Sequence, residues 1–197
     1  MGKTIDYYYS HISPWSFFGH GQLMALAAKS GATIAYHPIS VGDIFPKTGG
    51  VPVSKRSPER QAYRMLELKR WSAHLGVPIT FEPKHFPVDD HPSQYVALAA
   101  AERGADLGPL SQAIMAAVWQ EERDISDWQT LSDIASAQGL DGPAIVAAAQ
   151  SPATAEKGLK VCEDALAAGM FGAPWYSVDG ETFWGQDRLS MLADRLK

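Results

Sequence analysis

The residues best placed to do chemistry stand near the front of the chain, in the run Ser10-His11-Ile12-Ser13-Pro14-Trp15-Ser16. Ser13 followed by Pro14 reads as a helix cap and first helical position. The hydroxyl can accept from free backbone N–H groups of the first turn, and proline there has no N–H to leave unpaired and a φ already suited to a helix. A helix that starts at the end of a buried strand presents unpaired N–H groups and the positive end of its macrodipole, a ready place for an anion. A Ser-Pro pair also starts many helices with no ligand near it. His11, two residues earlier, is a candidate acid or base if it faces the site, and an exposed loop histidine if it does not. Trp15 and Trp175, with Trp184 and Tyr9, are candidate walls for an aromatic acceptor and equally candidates for the core. The histidines at 11, 20, 37, 74, 85 and 91 show no HxxxH spacing, and His85 with Asp89, Asp90 and His91 falls in a proline-broken stretch read as polar surface, so no metal site is expected. Cys162 is the sole cysteine, which excludes an intrachain disulfide or a CxxC pair. Any thiol chemistry must therefore use a thiol from elsewhere, while Cys162, with Val161 and Leu166 beside it, reads as a buried small hydrophobe.

The elements that must position these residues follow from pattern. Residues 4–9 are β-branched and aromatic and read as a strand, and the helix begun at Pro14 carries apolar residues to about Lys29. Residues 32–39 read as a second strand, placed at an edge or ended by Pro38. Residues 41–57 are dense in glycine and proline and read as a loop. Pro58 starts a helix to about Leu75, and residues 77–92 are extended and irregular because their prolines forbid a central strand. Helices then follow almost without break: 93–103, 109–121, 127–138, 142–150 and 153–168. Residues 175–178 and 182–184 flank Asp179-Gly180, a strong hairpin signal, and a closing helix is expected over 186–196. The order is β-α-β, a block of helices, then β-β-α. It predicts an α/β, thioredoxin-like fold with a helical domain inserted between its two halves.

The chain's 197 residues are 46% hydrophobic, ample for a packed core. A net charge of −5 and the lack of a Lys/Arg stripe argue against nucleic acid as a partner. No apolar run approaches the ~20 residues needed to cross a bilayer, and no signal-peptide h-region is evident near the start, so a cytoplasmic location is expected.

Three segments together carry a resemblance: ISPWSFFG at 12–19, FGAPWYSVDGE at 171–181 and FWGQDRLSML at 183–192. They resemble the kappa-class glutathione transferases and the bacterial 2-hydroxychromene-2-carboxylate isomerases, relatives of the periplasmic disulfide oxidoreductases in which Ser13-Pro14-Trp15-Ser16 would be a CxxC pair. The resemblance implies domains over residues 1–45 with 170–197 and over 46–169. It also implies glutathione as cofactor, a small aromatic or electrophilic substrate, and a homodimer. Ser13 would be the catalytic residue. Pro174 would be cis against the first helix, with the backbone of Ala173 pairing with the cysteinyl part of the tripeptide. Gln186 and Asp187 would hold its γ-glutamyl end, and Arg60 its glycyl carboxylate, where relatives carry Ser for Gln186 and Lys for Arg60. An alternative makes Gln186 and Asp187 plain first-turn residues and Arg60 a solvated charge. The loop Asn common in relatives has no counterpart near Gly49-Gly50-Val51. The implied activity is a glutathione-dependent isomerisation. A glutathione transferase, or a non-catalytic binding or chaperone-like protein, is the alternative.

Overall fold

The computed structural model describes residues 2–197. Four strands form one sheet in the order β2-β1-β3-β4, with β1 Thr4–Tyr9, β2 Thr33–Pro38, β3 Trp175–Val178 and β4 Glu181–Trp184. β1 and β2 run parallel, joined by helix α1 (Pro14–Ser30), while β1–β3 and β3–β4 are antiparallel. β2 is thus an edge strand and ends at Pro38, where a missing N–H costs no ladder bond. In the β3–β4 turn, Asp179 and Gly180 both have positive φ, 51° and 82°, as a two-residue hairpin of matching twist requires. This is the thioredoxin-like arrangement expected, with a helical block between the two halves of the sheet.

The period of two along β1 sorts its side chains onto two cores. Ile5, Tyr7 and Tyr9 pack with Leu23 and Ala27 of α1, with Tyr176 and Val178, and with Leu192 of the last helix. Tyr8 points the other way, into a cluster with Ile39, Ile44, Cys162, Met170 and Trp175. Cys162 is the buried small hydrophobe expected, its thiol pushed up to about 11 by burial. The helical block comprises α3 (Pro58–Leu75), α4 (His91–Ala101), α5 (Leu107–Trp119), α6 (Trp128–Ala137), α7 (Gly142–Ala149) and α8 (Pro152–Ala167). Its core, with Val96, Leu110, Ile114 and Trp119 fully buried, is seated on Phe17 and Phe18 of α1. Each such aromatic contributes roughly 1.5–3 kcal/mol by burial, so α1 is fixed between two cores.

Three readings are corrected. Residues 41–57 are not all loop: Val41–Thr48 is a helix, α2, followed by a 3-10 turn at Val53–Lys55. Ser40 caps it by accepting from the Gly42 N–H at 3.1 Å, Asp43 occupies the third position, and Gly49 closes it in the left-handed conformation. That Ser-x-x-Asp signature was legible but was outweighed by Pro46, which removes only one hydrogen bond so late in a short helix. Helix α4 begins at His91, not Ser93, since Pro92 falls in its first turn where proline is tolerated. The closing helix does not begin at residue 186. Gln186–Arg188 forms a 3-10 turn and the α-helix, α9, spans Leu189–Arg195.

Candidate active site

Antiparallel pairing of β1 with β3 sets Tyr8 against Trp175, so the chain leaving β1 and the chain entering β3 lie side by side. The first carries Ser13 and the second carries Ala173-Pro174. The Ala173–Pro174 bond is cis. Ser13 is 8% exposed and caps α1, its Oγ accepting from the Ser16 N–H at 3.1 Å. The same hydroxyl faces the Ala173 carbonyl oxygen at 3.5 Å, the long limit of a hydrogen bond. Among the described residues the Ala173 N–H has no hydrogen-bond partner. The result is a corner where a weakly committed hydroxyl proton, a free backbone N–H and the start of a 17-residue helix converge.

His11 does not lie exposed. It is 1% accessible, between the hydroxyls of Ser93 on α4 (Nδ1, 3.2 Å) and Ser111 on α5 (Nε2, 3.3 Å). The Ser93 hydroxyl donates to the Asp90 carbonyl at 2.9 Å, so it accepts from His11 Nδ1–H. Nε2 then accepts from Ser111, which in turn accepts from the Tyr9 hydroxyl at 2.6 Å. The imidazole is a neutral link in a hydroxyl chain. Burial, then the nearby His20, depress it to about 3. It therefore positions the β1–α1 loop and is not built to carry a proton at neutral pH.

Beside that chain sits a residue that sequence reading placed on the surface. Asp90 is buried, its carboxylate accepting from the Ser10 hydroxyl (2.6 Å), the Ser40 hydroxyl (2.6 Å) and the Val41 N–H (3.1 Å). Burial raises its pKa, and these three donors work the other way. It ties the loops after β1 and β2 to the start of α4, which fixes the approach to Ser13. Neighbouring His91 is held between Asp89 and Asp43; burial alone would lower its pKa, but the two carboxylates outweigh this and raise it. Asp90→Ala should leave three donors buried without an acceptor and destabilise the fold by roughly 3 kcal/mol or more. A shift in the urea midpoint measures this, and an unchanged midpoint would show that water replaces the carboxylate at no cost.

The turn after β4 approaches α1 closely. A Cβ at Gly19 would lie 2.8 Å from the Tyr176 hydroxyl and 2.9 Å from Gln186 Cβ, so only glycine lets the turn lie against the helix. Gln186 is 6% exposed and Asp187 is exposed, with Arg188 at 3.3 Å from its carboxylate. Gly185, at φ 101°, aims this pair, since a side chain there would meet Asp187 Oδ1 at 2.6 Å. Arg60 is exposed on the first turn of α3. It lines a surface cleft of about 370 Å³ together with Trp15, Arg56, Tyr63 and Arg64. Trp15 thus reaches solvent at the site. Trp175 does not: it is 6% exposed and belongs to the core with Tyr8 and Ile39. The solvent-facing aromatics of that region are Phe171 and Trp184, ring centroids 4.7 Å apart. Trp184 was a candidate from sequence, whereas Phe171 gave no signal.

The fold and this corner define a class. The chain belongs to the DSBA-like thioredoxin domain family, whose pattern matches residues 4–197. Among curated relatives it is 33% identical to a 2-hydroxychromene-2-carboxylate isomerase of Sphingobium xenophagum, over all of this chain and 99% of that one. It is 28% identical to a protein of the same name from Pseudomonas putida, over 95% of this chain and 91% of that one. A solved 2-hydroxychromene-2-carboxylate isomerase superimposes with a TM-score of 0.82 over 98% of this chain and 94% of that one, at 23% identity. These relatives support an isomerase activity for the chain. No helix among the described residues is long and apolar enough to cross a membrane.

Proposed function

We propose that this protein is a glutathione-dependent isomerase of 2-hydroxychromene-2-carboxylate or a related intermediate of aromatic catabolism. The observation that carries the reading is the corner itself: a helix-capping Ser13 faces Ala173 before Pro174, with Cys162 buried elsewhere and its thiol raised. A thiol delivered there meets a hydroxyl donor and the positive end of α1, both of which favour thiolate. The free Ala173 N–H and its carbonyl offer the cysteinyl backbone a strand-like partner. Asp187 takes the γ-glutamyl ammonium and Gln186 its carboxylate, while Arg60 takes the glycyl carboxylate, bidentately where geometry allows.

The reaction then runs by addition and elimination. The thiolate sulfur adds to an unsaturated carbon of the substrate, the ring opens, and the former double bond rotates as a single bond. Collapse returns the pair of the C–S bond to sulfur and expels glutathione unchanged. Saturation binding by calorimetry tests the cofactor directly: no heat and no thermal shift at millimolar glutathione would remove the reading. Asp187→Asn should weaken glutathione by about 1.5–3 kcal/mol, the range for hydrogen bonds to charged groups, with the fold intact. Full affinity in the folded variant would mean that Arg188 keeps Asp187 occupied.

A further inference from the structure

The cleft beside Trp15 holds more positive charge than one glycyl carboxylate requires. Arg56, Arg60 and Arg64 all line it, and among the described residues none is ion-paired with a carboxylate. Two acids also line it: Glu67, taken by Arg70 at 2.8 Å, and Glu59, exposed on the first turn of α3. Arg64 is the least free of the three. Its guanidinium lies over the Phe86 ring at 5.4 Å, and its Nη2 is buried with no hydrogen-bond partner. Burial, then the charge of Arg56, depress Arg64 to about 10. Arg56 is anchored at one nitrogen, donating from Nε to the Val51 carbonyl at 2.8 Å, which leaves the outer edge of its fork open. A buried cationic donor without an acceptor is costly, and an anion is the group that would satisfy it. Trp15 and Tyr63 supply apolar faces beside these forks, the half-buried indole and the exposed phenol ring both lining the cleft.

We propose that Arg56 and Arg64 form a second anion site, distinct from the glycyl contact of Arg60, that takes the carboxylate of a flat aromatic acid whose ring lies against Trp15. This rests on the glutathione reading only for the role given to Arg60; the second site is read from its own geometry. It makes the carboxylate a requirement of recognition, and because Trp15 lies two residues from Ser13 the acid is held beside the helix start where the sulfur would be.

The test uses 2-hydroxybenzoate as an unreactive probe and its neutral amide as control, titrated by calorimetry with and without saturating glutathione. The wild-type protein should bind the acid and not the amide. Arg64→Met, which keeps a long apolar stem over Phe86, should weaken the acid by about tenfold or more and leave glutathione unchanged. Arg60→Met should do the reverse. Arg56→Met and Arg64→Lys guard against a folding defect, the first by weakening the acid from a more exposed position, the second by retaining part of the affinity. Equal binding of acid and amide, or wild-type acid affinity in both Arg64→Met and Arg56→Met, would overturn the proposal. Arginine-dependent binding of the acid without any binding of glutathione would uphold this site and remove the cofactor reading alone.

Discussion

Replacing Ser13 by alanine is expected to raise the apparent pKa of bound glutathione and to slow turnover by about 10- to 100-fold, the loss of one hydrogen bond to a charged group. The geometry explains why the hydroxyl can serve the sulfur without leaving its structural post. Its oxygen accepts from the Ser16 N–H at 3.1 Å, which uses a lone pair, whereas its proton faces the Ala173 carbonyl at only 3.5 Å. The proton can therefore turn to an incoming thiolate while the cap stays intact. A free thiol titrates near ~8.5, and thiols at helix starts fall to roughly 3.5–7.5, so the bound cofactor should be largely thiolate at neutral pH. Ultraviolet thiolate absorbance against pH reads this directly. Alanine also removes the cap, at about 1 kcal/mol of stability, but a lost cap alone does not move the titration of a ligand. Glutathione affinity should stay nearly constant, because in the proposed mode the ends of the tripeptide fall to Arg60, Gln186 and Asp187. If neither titration nor rate moves, Ser13 is only a cap.

What sequence could reveal here divides along physical lines. Strands with period two, a capped helix, and an Asp-Gly turn are local signals, and they placed β1, α1 and the β3–β4 hairpin within a residue or so. Helix α2 was hidden by Pro46, although Ser40 and Asp43 marked its start. The buried Asp90 was hidden for a different reason. Its partners Ser10 and Ser40 lie 80 and 50 residues away, and a carboxylate that will accept three donors in the core looks like any loop aspartate in sequence. His11 was misjudged in the same way, since burial is a property of the assembled layers and not of the flanking residues, and the same burial decides Trp175, read from sequence as either pocket wall or core, for the core. Trp175 alternates inward on a strand covered on both faces, and His11 is enclosed only because α4 and α5 bring Ser93 and Ser111 to it. The proposed anion cleft was half legible: Arg60 came from resemblance, Arg64 shares its helix face at a spacing of four, and Arg56, extended ahead of α3, is brought to the cleft only by the folded chain.

The buried imidazoles carry the largest effect on stability. His11 is depressed to about 3 by burial and by His20, and His20 to about 4 by burial, although the Gly108 carbonyl, which accepts from its Nε2 at 2.9 Å, opposes the shift. Unfolded, both should titrate near ~6.5. For a group whose folded pKa is lowered, the stability it contributes is complete above the unfolded value and is lost as pH falls toward the folded one. Below pH ~6.5 the unfolded chain binds two more protons than the native state, so stability should fall by up to about 2.7 kcal/mol per pH unit, on the order of 5 kcal/mol by pH 4.5. That rivals the whole stability of a domain of this kind, about 5–15 kcal/mol. Asp90 acts with opposite sign. Its raised pKa makes its contribution greatest below the unfolded carboxyl value near ~3.9 and lost as pH rises through the raised one. It therefore softens only the acid end of the decline. Urea midpoints between pH 7 and 4.5 measure the slope, and His20→Gln, which can still donate to Gly108, should cut it by about half. A slope of only half this size in the wild type, left level from pH 7 to pH 5 in His20→Gln, would mean that the Ser111 hydroxyl turns to accept from a protonated His11. In that case His11 would be a proton carrier at the edge of the site, and the rate of the isomerisation would follow its titration.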